Sequence, residues 1–215
     1  MNHKMMNHID YCNKAIRSFG IDVFYDIFKK VNEKYNLPII SVGSGNGAFE
    51  HILNNNLNIN IICIDPDPLK YNSNLLKTPF MEPKYKTVDD DVISLYKNNC
   101  VLLLNWCDPN DSDYDYLSII KLNPVCIISI YEVFDEGNGA AGGKKFFEYI
   151  YNNDEYNKLN EISIYEDESP NDLDLRIIIL EKKDKSLLNK SYEIEKFNLP
   201  EYLPCLIRNE TCIIM

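Results

Sequence analysis

Asp65 is the carboxylate best placed to hold a sugar. It closes the apolar run Asn60-Ile61-Ile62-Cys63-Ile64 and follows Gly47 by 18 residues. That is near the spacing of about 20 at which an acidic residue meets ribose hydroxyls in nucleotide-binding units. The competing reading is that Asp65 caps the turn before Pro66. Pro66-Asp67-Pro68 stiffens the loop that follows. Gly47 itself ends the loop Gly43-Ser44-Gly45-Asn46-Gly47, which lies between the apolar run ending at Val42 and a helical pattern opening at Ala48. Glycines there let a ligand approach the backbone, and the first helical turn presents N–H groups to an anion.

Two further groups belong to the same chemistry. Asn105-Trp106-Cys107-Asp108-Pro109 ends another apolar run. Asn105 could orient an acceptor, and Trp106 could stack on a planar substrate beside Asp108. Plugging the top of a sheet is an equal role for the tryptophan. Tyr131-Glu132 ends a later run and leads into the second glycine loop, Gly137-Asn138-Gly139-Ala140-Ala141-Gly142-Gly143. Glu132 is a candidate base. The two loops hold seven of the chain's eight glycines. Lys144 and Lys145 follow the second loop and read as a solvated helix face.

The elements that must position these groups alternate. Ile9 to Tyr35 has helical periodicity with a break at Gly20. Strands are expected at 39–42, 60–65, 85–88, 100–105 and 125–131, the third of them weak. Helices are expected at 46–55, 90–97, 112–122 and 144–151. Two strands, 159–166 and 173–182, then follow around the turn Ser169-Pro170-Asn171-Asp172. The expected fold is α/β: a Rossmann-like, mostly parallel, seven-stranded sheet with a terminal β-hairpin and helices on both faces. Open sheets of this kind bind ligands beyond the carboxyl ends of their strands. Gly43, Ser44, Gly45, Gly47, Asp65, Pro66, Asn105 and Glu132 would then share one rim. The expected division is 1–36 as a helical segment packed on the core, 37–186 as the Rossmann-like domain and 187–215 as an extension.

This order of elements, with the blocks Gly43-Ser44-Gly45-Asn46-Gly47, Ile64-Asp65-Pro66 and Leu104-Asn105-Trp106, resembles the class I S-adenosylmethionine-dependent methyltransferases over Ile39 to Lys182. The resemblance implies S-adenosylmethionine as cofactor. It implies the glycine loop against the methionine part, Asp65 on the ribose hydroxyls, and an acid among Asp89, Asp90 and Asp91 near the adenine. It also implies a sheet that is parallel but for one late strand. The chain departs from the family at Ser41, where many members carry an acid that holds the cofactor's amino group. The Asn105 block matches the family's Asp/Asn-Pro-Pro-aromatic motif only loosely. A catalytically degenerate domain serving as a binding subunit is therefore the alternative to an enzyme. An NAD-dependent enzyme is a third reading, opposed by Glu50, whose charge would lie near a pyrophosphate.

Composition sets the bounds. A chain of 215 residues supports one well-buried core. The formal net charge of −11 argues against gripping extended duplex nucleic acid. A small molecule, a protein or a short nucleic-acid end remains as the substrate class, and partner proteins are compatible with the acidic surface. Abundant Asn, Ile, Lys and Tyr fit an AT-rich genome, such as that of a large DNA virus or an AT-rich protist. The seven cysteines include no C-x-x-C pair, and Cys63, Cys100 and Cys126 lie in apolar runs, so no structural zinc is expected and the expected compartment is reducing and cytoplasmic. Met1-Asn2-His3-Lys4 leads into no apolar signal segment. Cys212-Ile213-Ile214-Met215 fits the C-a-a-X box for farnesylation, which would give peripheral membrane attachment. The competing reading is a terminal strand over 206–215.

Overall fold

The computed structural model describes residues 16, 19–70, 76–105, 113–133, 144–165 and 174–183. Helix α1 is Ile21–Tyr35, and its apolar residues Phe24, Ile27, Phe28 and Val31 recur at helical spacing and are buried. Gly20 precedes it at φ 80°, which breaks the helical pattern where the sequence places the break. Then come β1 (Ile39–Val42), α2 (Ala48–Leu57) and β2 (Ile61–Ile64). They are followed by α3 (Asp90–Tyr96), β3 (Val101–Asn105), α4 (Tyr114–Leu122) and β4 (Cys126–Val133). The hairpin strands β5 (Tyr156–Tyr165) and β6 (Asp174–Lys182) come after α5 (Lys144–Asn152).

The strands form one sheet in the order β2-β1-β3-β4-β6-β5. β1 pairs in parallel with β2 and β3, and β3 with β4. β6 runs antiparallel to both β4 and β5, so it is the one reversed strand of the sheet. β1, β2 and β3 are buried at every position, as continuous apolar runs in a parallel sheet require. The chain leaves β1 toward β2 on one side and returns to β3 on the other. Right-handed crossovers in opposite directions put α2 and α3 on opposite faces.

The sheet has six strands among the described residues, not seven. The expected strand over 85–88 is a single parallel bridge, Ile64 to Tyr85. Its neighbours explain the loss. Pro83 has no N–H to offer a ladder, Lys84 and Lys86 are exposed, and the Val88 N–H turns away to the Tyr114 hydroxyl at 2.9 Å. Two bonds remain, Lys84 N–H to the Cys63 carbonyl at 2.9 Å and Asp65 N–H to the Tyr85 carbonyl at 3.2 Å. β4 runs two residues further than expected and takes Glu132 into the ladder opposite Leu175.

Helices α1, α2 and α4 each end on an asparagine in the left-handed region, Asn36, Asn58 and Asn123, at φ 48–51°. Asparagine tolerates that conformation and commonly substitutes for glycine there. These three helices thus close without glycine. α1 locks onto α2 through edge-on rings: Phe24 meets Phe49 at 5.1 Å between centroids and Phe28 meets Phe49 at 6.0 Å. Phe49 stands in the first turn of α2, so this packing fixes the helix start beside the glycine loop. Cys63, Cys100 and Cys126 are free and buried, as small apolar side chains.

Candidate functional site

The loop after β1 is built by three glycines with φ of 70°, 54° and 70° at Gly43, Gly45 and Gly47. No other residue type enters that region three times in five positions at low cost. The Gly43 and Ser44 N–H groups donate to the Ile64 carbonyl at 2.9 and 3.3 Å, extending the β1–β2 pairing into the loop. The Gly45 N–H donates to Asp65 Oδ2 at 2.8 Å, and the Asp67 N–H donates to Asp65 Oδ1, also at 2.8 Å. These bonds show Asp65 in its capping role, closing the turn at Pro66 and holding the glycine loop. Each carboxylate oxygen has a second lone pair left for a ligand hydroxyl. Burial raises the Asp65 carboxyl above the usual carboxylate range, against the pull of the two N–H groups. Pro66 is exposed in the loop beyond.

Gly47 is glycine for a reason the sequence does not display. A Cβ there would come within 2.8 Å of Met81 Cβ and 3.0 Å of the Met81 carbonyl oxygen. The Asn46 carbonyl accepts the Phe80 and Met81 N–H groups at 2.7 and 3.3 Å. The chain's own segment after β2 thus uses the space that Gly47 leaves open. The start of α2 is also less open than its N–H count implies, because Asn46 Oδ1 accepts from the Ala48 N–H at 3.0 Å.

Glu50 is fully buried in the first turn of α2. Its Oε1 accepts from the Ser41 hydroxyl at 2.6 Å. Burial pushes its carboxyl up to about 7, with Asp65 adding in the same direction and the Ser41 bond opposing. The sequence sets this charge in the first helical turn, and the structure keeps it there and buries it beneath the loop. The serine at the position where an acid was expected is thus the hydrogen-bond partner of an acid nine residues on. A Glu in the third helical position, with a small hydroxyl residue two before the first glycine, was the available signal.

Asn105 is buried at the end of β3. Val42 pairs with Leu104, so Asn105 stands one step on, level with Gly43. Asn105 in turn pairs with Ile130, and Glu132 lies two residues beyond Ile130 in β4. The Glu132 side chain, Trp106, Cys107, Asp108, the second glycine loop and Cys212 lie outside the described residues. Of the three adjacent acids, Asp89 caps α3 by accepting from the Val92 N–H at 3.1 Å. Lys145 pairs with Asp113 at 2.6 Å on an exposed helix face.

The structure therefore gathers Gly43, Ser44, Gly45, Gly47, Asp65 and Asn105 at the carboxyl ends of β1, β2 and β3. β1 lies between β2 and β3, where the direction of the strand order reverses, and that is where open α/β sheets hold ligands.

No protein-family model matches the chain, and no curated protein matches it. Solved structures similar to it include a protein from Thermoplasma acidophilum, at 15% identity with a TM-score of 0.48, over 84% of this chain and 100% of that one. Another is an rRNA methylase from Streptococcus thermophilus, at 14% identity and a TM-score of 0.42, over 76% of this chain and 97% of that one. A third is a SAM-dependent methyltransferase from Methanosarcina mazei, at 10% identity and a TM-score of 0.42, over 68% and 92% of the two chains. The site stands on its own geometry.

Proposed function

We propose that the chain is an S-adenosylmethionine-dependent methyltransferase acting on a small molecule, a protein or a short nucleic-acid end. The observation that carries this reading is the tie between Asp65 and Gly45, which sets a carboxylate and a glycine loop side by side at the switch point of a sheet with one reversed strand. The residues fit the cofactor. Asp65 keeps lone pairs for ribose hydroxyls. Asn46 Nδ2 and Glu50 Oε2 are buried polar atoms with no hydrogen-bond partner among the described residues, and both lie on the loop or the first turn after it. Ordinary proteins leave few such atoms.

Bound S-adenosylmethionine would supply a methyl group on a sulfonium centre. The chain's own part is to hold the acceptor in line with it. In this reading Asn105, at the end of β3, and Trp106, next in sequence, orient the acceptor, and Glu132, the last residue but one of β4, takes its proton. Attachment to a membrane through Cys212, a cytoplasmic location and partner proteins are compatible with the reading. No helix among the described residues is long and apolar enough to cross a membrane.

A second reading, a degenerate domain that serves as a binding subunit, is favoured by Met81 occupying the space over Gly47. Thermal melting with S-adenosylmethionine, S-adenosylhomocysteine and NAD separates the readings. Stabilisation by the first two and not by NAD supports the methyltransferase. No shift with any of them supports the binding subunit.

A further inference from the structure

We propose that Glu50, held by Ser41 beneath the glycine loop, is the receptor for a primary ammonium group on the ligand, and that taking up this ammonium expels a proton from the protein. The inference rests on the reading of the loop as the ligand site and names the chemistry of the ligand's head group.

The case begins with capacity. Glu50 Oε1 has a partner in the Ser41 hydroxyl at 2.6 Å, while Oε2 is buried without one among the described residues. The Ser44 hydroxyl is buried in the same short stretch, beside the Cys63 thiol, and keeps an acceptor lone pair. An ammonium brings three donors and a positive charge. Oε2 and the Ser44 hydroxyl are two acceptors for it.

Charge makes the same choice. The titratable groups facing Glu50 are Asp65 at the end of β2 and the Cys63 thiol on β2, next to Ser41 in the ladder. Neither supplies a positive charge. Burial holds the Cys63 thiol well above its ordinary range, and the Glu50 charge adds to that. None of the ion pairs among the described residues includes Glu50. An ionised carboxylate here lacks a counter-charge, which a cation supplies and a phosphate aggravates.

The proton follows. With its carboxyl at about 7, Glu50 is partly protonated in the free protein near neutral pH. Binding converts the acid and an ammonium into a carboxylate–ammonium pair and one proton in solvent, so charge and atoms balance. A glutamate kept only for its bond to Ser41 would show no such exchange, and glutamine would replace it without loss.

The test is calorimetry of the full chain with S-adenosylhomocysteine and its des-amino analogue, each in two buffers of different ionisation enthalpy. The expected release at pH 7 is about half a proton, rising toward one near pH 6 and turning to uptake by about pH 9, where the free amine has lost its own proton. Glu50→Gln should abolish that release and weaken S-adenosylhomocysteine at least tenfold at pH 8. The des-amino analogue should bind both proteins within twofold of each other, and any release it retains belongs to Asp65. If Glu50→Gln does not fold, the wild-type difference between the two ligands decides. Binding with equal proton release for both ligands, or unchanged affinity in Glu50→Gln, overturns the role of Glu50 and leaves the ligand site standing. No binding of either ligand by the wild type overturns both.

Discussion

The Gly45 N–H donates to Asp65 Oδ2 at 2.8 Å, joining the loop after β1 to the end of β2. The bond sets the distance between the two groups that would grip opposite parts of one ligand. It also makes Asp65 a structural residue, beside its proposed role on the ribose. Asp65→Ala removes the acceptor for two backbone N–H groups, and Asp65→Asn keeps one oxygen. The alanine variant should lose about 1–3 kcal/mol of stability, and the asparagine variant less, in urea unfolding at pH 7. Equal stability of all three proteins would mean that the loop does not depend on this tie.

Glu50 should make the protein pH-sensitive. Its folded carboxyl is raised from 4.5 to about 7, so the folded state holds the proton more tightly than the unfolded one. The contribution of Glu50 to stability is therefore full below about pH 4.5, falls as pH rises toward 7 and is level above that, a loss on the order of 3 kcal/mol. Glu50→Gln removes this loss. Its advantage over the wild type should be small at pH 5 and reach about 2–3 kcal/mol at pH 8 in denaturant unfolding. An advantage that does not grow with pH would show that Glu50 is not held as a buried acid.

Gly47 carries two constraints, a φ of 70° and the contact with Met81. Gly47→Ala meets both. The left-handed conformation alone costs about 1–2 kcal/mol, and the approach to Met81 adds to it. A drop in Tm of about 4–8 °C is expected for a chain of this size. A Tm within a degree of wild type would mean that the segment bearing Phe80 and Met81 lifts away from the loop.

Asn58 stands in for glycine at the end of α2, at φ 51°. Asn58→Gly should leave stability within about 0.5 kcal/mol. Asn58→Ala should lose about 1 kcal/mol, because alanine has neither glycine's freedom nor asparagine's tolerance of this conformation. Denaturant midpoints of the two variants decide it.

Much of the scaffold was legible because it obeys one-dimensional rules. The apolar runs read at 39–42, 60–65 and 100–105 are the strands β1, β2 and β3 to within a residue at each end, and the glycines at 43, 45 and 47 marked the sharp loop. The hairpin after α5 was legible from two successive strands, and its insertion as β6 between β4 and β5 matched the resemblance. The strand over 85–88 was not legible as a single bridge, because its failure depends on a tertiary bond from Val88 to Tyr114. The Met81 contact with Gly47 was equally out of reach, since it joins residues 34 apart through a loop without periodicity. Glu50 stands in the first helical turn as the sequence indicates, but its burial was not legible, because a charged residue there ordinarily faces water. Only the hydroxyl of Ser41, on the neighbouring strand, shows why it does not.

The most direct measurement is the dissociation constant of S-adenosylhomocysteine by calorimetry, for the wild type and for Asp65→Ala, with NAD as the control. The expected result is one site per chain in the wild type, at least tenfold weaker binding in Asp65→Ala, in keeping with the loss of charge-assisted hydroxyl bonds worth about 1.5–3 kcal/mol each, and no heat with NAD. Absence of binding by the wild type, or equal affinity in the two proteins, would contradict the assignment of this rim to the cofactor.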